Sequence, residues 1–253
     1  KASFVVSFSP ADQTYIVQYI DEDTNEGLKE QDTFDAKFGD YINGEDHATE
    51  FEGYTFTHAT ELWVTEDNQI NYVFVYYSKD ENGDKIPDKY QTTVVFAAAN
   101  GTVDGATQVE KVVTLTDEEG NWSETGSYTL TEEDIPEAIA ATGYAQSTKE
   151  WDVNPVGAVI DADENTKASF VVSFSPADQE YIVQYIDEDT NEGLKEQDTF
   201  GAKFGDYING ADHAIAFEGY AFTHATELWV TEDNQTNYVF VYYSKDENGD
   251  KIP

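Results

Sequence analysis

Residues 1–87 and 167–253 align without a gap at an offset of 166. They differ at seven positions: Thr14/Glu180, Asp35/Gly201, Glu45/Ala211, Thr49/Ile215, Glu50/Ala216, Thr55/Ala221 and Ile70/Thr236. A chain that repeats itself so closely is a tandem array that builds the same structure twice. Solenoid units run about 20–50 residues, so a period this long holds more than one module. Three of the changes exchange Thr or Glu for Ile or Ala between positions 49 and 55, which predicts a face that is not tightly packed.

The copies divide the chain. One unit spans 12–79 and recurs at 177–245, and a different unit lies between them at 89–176. Residues 80–88 read as a linker loop, repeated in truncated form at 246–253. Residues 1–11 match the end of the intervening unit, so Ala2–Phe8 reads as a strand separated from its own sheet. A free strand edge seeks a partner, and it is expected to pack on the first copy or to exchange with a neighbouring molecule.

In the repeated unit, Tyr15–Ile20 is β-branched and aromatic without Pro or Gly, which predicts a strand. A turn at Asp21–Gly27 and a return strand at Leu28–Thr33 follow. Phe38–Ile42 reads as one or two helical turns, and Thr55–His58, Leu62–Val64 and Asn71–Tyr77 as strands. In the last of these Tyr72, Phe74 and Tyr76 alternate with Val73, Val75 and Tyr77, so one face buries and the other is half covered. In the intervening unit, strands are expected at Tyr90–Ala99, Gln108–Thr116, Tyr144–Trp151 and Ala168–Ser175. A helix is expected from the Thr131 cap and early acids through Thr142, ended by Gly143. The fold class is therefore α+β and β-rich, with tandem small β-grasp-like modules arranged as an elongated rod.

Charge and composition exclude several functions. Thirteen basic against 52 acidic residues give a net charge of −39. Nucleic acid and anionic membrane surfaces need basic patches, so neither is a partner. With no Cys there is no disulfide framework and no thiol chemistry. No transmembrane run is visible. Acidic pairs such as Glu22/Asp23 and Glu118/Glu119 sit in turns rather than in a cleft that would desolvate one carboxyl, and no nucleophile or phosphate motif appears. The chain is not read as an enzyme. The His residues lack zinc-ligand spacing.

Two sets of residues are candidate sites. Asp80, Asn82 and Asp84 supply side-chain oxygens at alternate positions, Ile86 a backbone carbonyl, and Asp88 a closing carboxylate. This is the spacing of a loop that wraps structural Ca²⁺. Lys85 stands where an EF-hand has Gly, and Gln91 where it has a bidentate Glu. A weak site of roughly 10⁻⁴–10⁻³ M is therefore expected. A plain polar turn at Asn82-Gly83 is the alternative. The truncated loop at 246–253 is expected to be empty or poorly ordered. The second set is Tyr54, His58 and Trp63, with Tyr220, His224 and Trp229, a candidate aromatic platform for sugar rings; core packing is the competing reading. Lys37 and Lys111 are available for an isopeptide bond, but nothing singles out a triad.

The repeated unit resembles the MucBP module of Gram-positive surface proteins. The resemblance rests on Tyr15–Thr24, Lys37-Phe38-Gly39-Asp40, Phe51-Glu52-Gly53-Tyr54 and Tyr72–Tyr77. The intervening unit resembles the InlB B-repeat through Phe96–Gly101, Gly143-Tyr144 and Trp151–Pro155, and the Asp-rich loop resembles those of thrombospondin type 3 repeats. The resemblance implies a secreted, cell-wall-anchored bacterial adhesin with mucin glycans or host glycoproteins as partners and immunoglobulin as another. A calcium-stiffened stalk that presents a separate binding head is the rival implication.

Overall fold

The structure is a computed structural model that describes residues 3–162 and 168–246. Its contacts divide the chain into two compact units. One is Lys1–Val94 with Val112–Thr129 and Val159–Lys167; the other is Val95–Lys111 with Leu130–Ala158 and Ala168–Pro253.

The first copy lies in the first unit. Its strands are β1 Asp12–Asp21, β2 Glu26–Gly27, β3 Asp32–Lys37, β4 Tyr41–Asn43, β5 Tyr54–Ala59, β6 Glu61–Trp63 and β7 Tyr72–Lys79. The sheet runs β2-β1-β7-β5, with β3 also paired to β1, and β4–β6 form a separate ribbon. β1 and β7 lie parallel, from Ile16↔Tyr72 to Asp21↔Tyr77. Because side chains alternate along a strand, Tyr15, Val17 and Tyr19 meet Val73, Val75 and Tyr77 on one face as the core. Phe51 closes that core edge-on against Tyr77, with ring centroids 4.9 Å apart. The Tyr77 hydroxyl accepts from the Thr49 amide at 2.9 Å, so the buried phenol is not left unpaired.

Two polar devices fix the connections. The fully buried Asn71 accepts from the Thr65 amide at 2.9 Å and donates to the Thr14 and Thr65 carbonyls at 3.2 and 3.1 Å. Its amide thus stitches the 65–71 loop to β1. Gly44 begins a 3-10 turn where a Cβ would lie 2.4 Å from the Thr60 carbonyl oxygen and 2.8 Å from a Val73 methyl. Only a hydrogen fits there.

The intervening strands are β8 Gln91–Ala99, β9 Gly101–Val103, β10 Gln108–Thr114, β11 Ser127–Thr129, β12 Ala138–Ala140, β13 Glu150–Trp151, β14 Val159–Asp161 and β15 Ala168–Ser173. They form a sheet ordered β10-β8-β15-β13 and the pairs β9–β12 and β11–β14. The second copy repeats the first as β16 Asp178–Asp187, β17 Glu192–Gly193, β18 Asp198–Lys203, β19 Tyr207–Asn209, β20 Tyr220–Ala225, β21 Glu227–Trp229 and β22 Tyr238–Lys245, with the same sheet order.

Several expectations are corrected. The β-rich reading holds, but helical structure among the described residues consists of short 3-10 turns at Gly44–His47, Asp88–Tyr90, Glu132–Asp134, Gln146–Thr148 and Gly210–His213. The predicted 131–142 helix stops after one turn, because Ile135 precedes Pro136 and is extended. Ala138–Ala140 then pairs with β9. Phe38–Ile42 is a turn at Gly39, whose φ is +84°, leading into β4 rather than a helix. The return strand lies at Asp32–Lys37, later than Leu28–Thr33. Tyr144–Trp151 shortens to Glu150–Trp151 behind a 3-10 turn. Residues 3–8 form no strand, and Phe4, Val5, Val6 and Phe8 are exposed. Their counterpart β15 is a strand because it lies between β8 and β13, and residues 3–8 have no such neighbours. The truncated loop lies outside the described residues apart from Asp246, which is buried.

Candidate ligand-binding surface

The proposed platform residues occupy three different settings. Tyr54 begins β5, packs against the core and donates its hydroxyl to Asp21 Oδ2 at 3.4 Å. A register shift between Phe56 and His58 then reorients the strand. Phe56 lies beside the core residue Tyr77, whereas His58 stacks on Tyr76 at 4.4 Å and 11°. Trp63 lies on β6, 66% exposed, against the ring of Tyr41 at 5.1 Å and 51°. The β4–β6 register places Tyr41 directly opposite Trp63.

The second copy reproduces each setting. Tyr220 donates to Asp187 Oδ2 at 3.1 Å, His224 stacks on Tyr242 at 4.5 Å, and Trp229 meets Tyr207 at 5.1 Å.

Two aromatic surfaces result in each copy. One is the exposed Trp63–Tyr41 pair. The other is a row on the face of the sheet opposite the core: Tyr72–Phe74 at 6.0 Å, Phe74–Tyr76 at 6.4 Å and Tyr76–His58 at 4.4 Å. The row is half-buried. Glu22 Oε2 lies 3.5 Å from His58 Nδ1 at its end. Alternation in the sequence signals the Tyr72-Phe74-Tyr76 part of the row. Nothing local signals His58, because the strand irregularity places it there, and Tyr41 is found only through strand pairing.

The Trp63–Tyr41 pair has a defined polar edge. A hydrogen bond to the Glu61 carboxylate, then burial, raises the Tyr41 pKa above its ordinary value, and Glu227 does the same for Tyr207. An exposed indole beside an anchored phenol and a carboxylate presents flat apolar rings next to hydrogen-bond acceptors. Such amphipathic aromatic surfaces suit ligands with both apolar and hydroxylated faces.

The loop at 80–88 is organised by its own amides. Asp80 is buried and accepts from the Gly83 and Lys85 amides at 2.8 and 3.0 Å, one on each oxygen. Asn82 Oδ1 accepts from the Asp84 amide at 2.9 Å, and Asp84 Oδ1 from the Ile86 amide at 2.8 Å. Asp84 Oδ2 accepts from Gln91 Nε2 at 2.7 Å, and Asp88 Oδ2 from the Glu81 amide at 3.1 Å. Among the described residues no three acidic or His side chains converge as a metal-holding group. The carboxylates as arranged serve the loop backbone.

Beyond the loop, Lys89 is partly buried between two acids of the first copy. It pairs with Glu22 and, at 2.9 Å, with Asp23, which also accepts from Ser78 at 2.5 Å. Burial acts to lower the Lys89 pKa, but the two carboxylates outweigh it and the net shift is upward. Among the described residues no helix is long and apolar enough to cross a membrane.

The family model for the MucBP domain matches residues 16–76 and 182–244. Both repeated segments are MucBP domains. The matches take in the Tyr72-Phe74-Tyr76 row, its counterpart Tyr238-Phe240-Tyr242 and both Trp–Tyr pairs, so each MucBP domain carries its own aromatic surfaces. Among solved structures, the type 2 repeat of the mucus binding protein MUB from Lactobacillus reuteri is similar at 19% identity. That likeness covers 65% of this chain and 100% of that one, with a TM-score of 0.23. Two B repeat units of the collagen binding protein of Staphylococcus aureus are similar at 11% identity, over 94% of this chain and 76% of that one, with a TM-score of 0.15. No curated protein matches the chain.

Proposed function

We propose that the two MucBP domains are binding repeats of a bacterial surface adhesin that engage mucin-type glycoproteins weakly, one site per domain. The observation that carries this reading is the exposed Trp63–Tyr41 pair and its repetition as Trp229–Tyr207. An indole left two-thirds exposed in both copies is surface available to a ligand. Repetition supplies avidity without strong single contacts. With a net charge of −39 the chain repels anionic chains, so neutral sugar termini are the expected ligands rather than sialylated or sulphated ones.

Glycan-array binding of the whole chain, compared with the Trp63→Ala/Trp229→Ala double variant, tests this. Signal on neutral mucin-type glycans should fall at least about tenfold in the variant, the loss of about 1.4 kcal/mol. Undiminished binding by the variant, or no glycan bound by the wild type, removes the reading.

A second reading, a calcium-stiffened stalk, draws support from the 80–88 loop. Lys85 has a φ of +70° at the position where a calcium loop places Gly, and Asp80 already gathers the loop's amides. Asp80, Asn82, Asp84 and Asp88, with the Ile86 carbonyl, would hold the ion. Calorimetric titration with Ca²⁺ should give a dissociation constant of roughly 10⁻⁴–10⁻³ M, abolished by Asp84→Ala. No heat at millimolar calcium rules the ion out.

A further inference from the structure

An asparagine side chain is attacked most easily by the backbone nitrogen of a following glycine, which brings no side chain to hinder the approach. The chain has five such pairs: Asn43-Gly44, Asn82-Gly83, Asn100-Gly101, Asn209-Gly210 and Asn248-Gly249. The last lies outside the described residues. In three of the other four, only a hydrogen fits on the glycine. A Cβ on Gly44 or Gly210 would lie 2.4 Å from the Thr60 or Thr226 carbonyl oxygen, and one on Gly101 would lie 2.4 Å from the Ile139 carbonyl oxygen. The Gly210 amide is also held by the Thr226 carbonyl at 3.0 Å, and the Asn100 side chain by the Phe174 carbonyl at 3.2 Å. Gly83 stands apart. It is exposed, with a φ of +76°, and a Cβ on it would meet nothing within 4 Å. Its amide bonds a side chain, Asp80 Oδ1 at 2.8 Å, rather than a backbone carbonyl.

We propose that Asn82-Gly83 is a site of spontaneous covalent modification, the one among the described residues where the folded chain leaves room for the reaction. The Gly83 nitrogen bonds to Asn82 Cγ, the Cγ–Nδ2 bond breaks, and the side-chain amide leaves as ammonia with the glycine proton. Water then opens the resulting imide. Attack at the side-chain carbonyl gives Asp, and attack at the backbone carbonyl gives isoaspartate. Asn82 Oδ1 accepts from the Asp84 amide at 2.9 Å, a donor placed where negative charge develops as the ring closes. Asn43 and Asn209 accept the same kind of bond, from the Glu45 and Ala211 amides at 3.2 and 3.1 Å. Space around the glycine, not that bond, therefore sets the difference. The product changes the loop. Asn82 Nδ2 donates to Asp84 Oδ2 and to Gln91 Oε1, each at 3.1 Å. Converted to Asp, residue 82 faces Asp84 with a second carboxylate, and the two repel unless a cation lies between them. Isoaspartate instead lengthens the backbone and breaks the alternation of oxygens. Those consequences for an ion rest on the calcium reading; the reaction does not.

The whole chain, held in mildly alkaline buffer both folded and in urea and then mapped by peptide mass spectrometry, supplies the test. In the folded chain Asn82 should exchange NH2 for OH at least about tenfold faster than Asn43, Asn100 or Asn209, a barrier difference of about 1.4 kcal/mol. In urea the four rates should converge. Equal rates in the folded chain overturn the proposal, because room at the glycine would then not matter. The same ranking in urea overturns it too, because the neighbouring residues rather than the fold would then set the rates.

Discussion

The two MucBP domains are almost the same sequence in different company, and the places where they differ in conformation are where they meet other parts of the chain. In the second copy, Phe204 lies against Gly143 and Tyr144, with the Tyr144 ring 5.5 Å away and edge-on. In the first copy, the equivalent Phe38 is 52% exposed. The backbone around them is alike: Phe38 and Phe204 donate their amides to Ala11 and Ala177 at 2.9 and 3.0 Å. At the other end, Ser78 bonds Asp23 while Lys89 holds Glu22 and Asp23, whereas Ser244 bonds Glu188 at 2.6 Å. The cores do not register these differences. The sheet, the buried Tyr–Val cluster and the buried amide are reproduced residue for residue. The fold belongs to the copy; only the side chains around Phe38/Phe204 and Ser78/Ser244 answer to the neighbour.

The strongest way to break that symmetry is at the phenylalanine. Phe204→Ala removes a ring that covers Gly143 and Tyr144 and should cost about 2 kcal/mol. Phe38→Ala removes a ring that is mostly in water and should stay within about 0.5 kcal/mol. Urea unfolding read by hydrogen exchange of each copy separates the two. Equal losses would mean that the neighbour contributes nothing to Phe204.

The Lys89 clamp is the next contrast. Lys89→Ala leaves the partly exposed Glu22 and Asp23 carboxylates facing each other and should cost the first copy about 1 kcal/mol, the scale of a solvent-screened ion pair. The second copy should be unaffected. The pH dependence has two limbs. Burial raises the Asp23 pKa, but bonds from Ser78 and Lys89 outweigh it and the net shift is downward. Its contribution is thus present above the unfolded carboxylate range, about 3.9, and is lost as pH falls through the depressed folded value. The Lys89 pKa is raised overall. Its contribution is complete below the unfolded lysine value of about 10.4 and is lost as pH rises through the folded one. In Lys89→Ala the alkaline limb should vanish and the acid limb shrink to the Ser78 share. An unchanged stability–pH curve would mean that the pair is only a surface contact.

These contrasts also mark what could be read from residues alone. β1 and β7 were legible because apolar and aromatic residues alternate over whole strands. The half-covered face was legible for the same reason, and it is the face that carries the aromatic row. The Thr131 signal was real: its amide and hydroxyl both donate to Asp134 Oδ2, at 2.7 and 2.8 Å. The helix expected beyond it does not continue, since Ile135, the residue before Pro136, resists the helical conformation and β9 offers the next residues a strand partner. The aromatic trio failed as a unit because it assumed sequence proximity. Trp63 finds its partner through the β4–β6 pairing, and His58 changes setting at an irregularity that no residue type announces.

The smallest effect concerns two of the seven differences, which are directly paired. In the first copy Thr14 lies opposite Asp35 across β1 and β3; in the second, Glu180 lies opposite Gly201. Like charges directly opposite in an antiparallel pair are destabilising by roughly 0.2–1 kcal/mol. Where one position gained a carboxylate, its partner carries none. The substitution at 14 leaves the buried-amide bond in place, because the Asn71 and Asn237 amides reach the backbone carbonyls of Thr14 and Glu180, not their side chains. Thr14→Glu alone should therefore destabilise the first copy by about 0.5 kcal/mol, and Asp35→Gly in the same chain should cancel the repulsion between the strands. A double-mutant cycle measures the coupling directly. A coupling of zero would show that the two differences are independent, and one that persists unchanged in molar salt would show that they are not matched by charge.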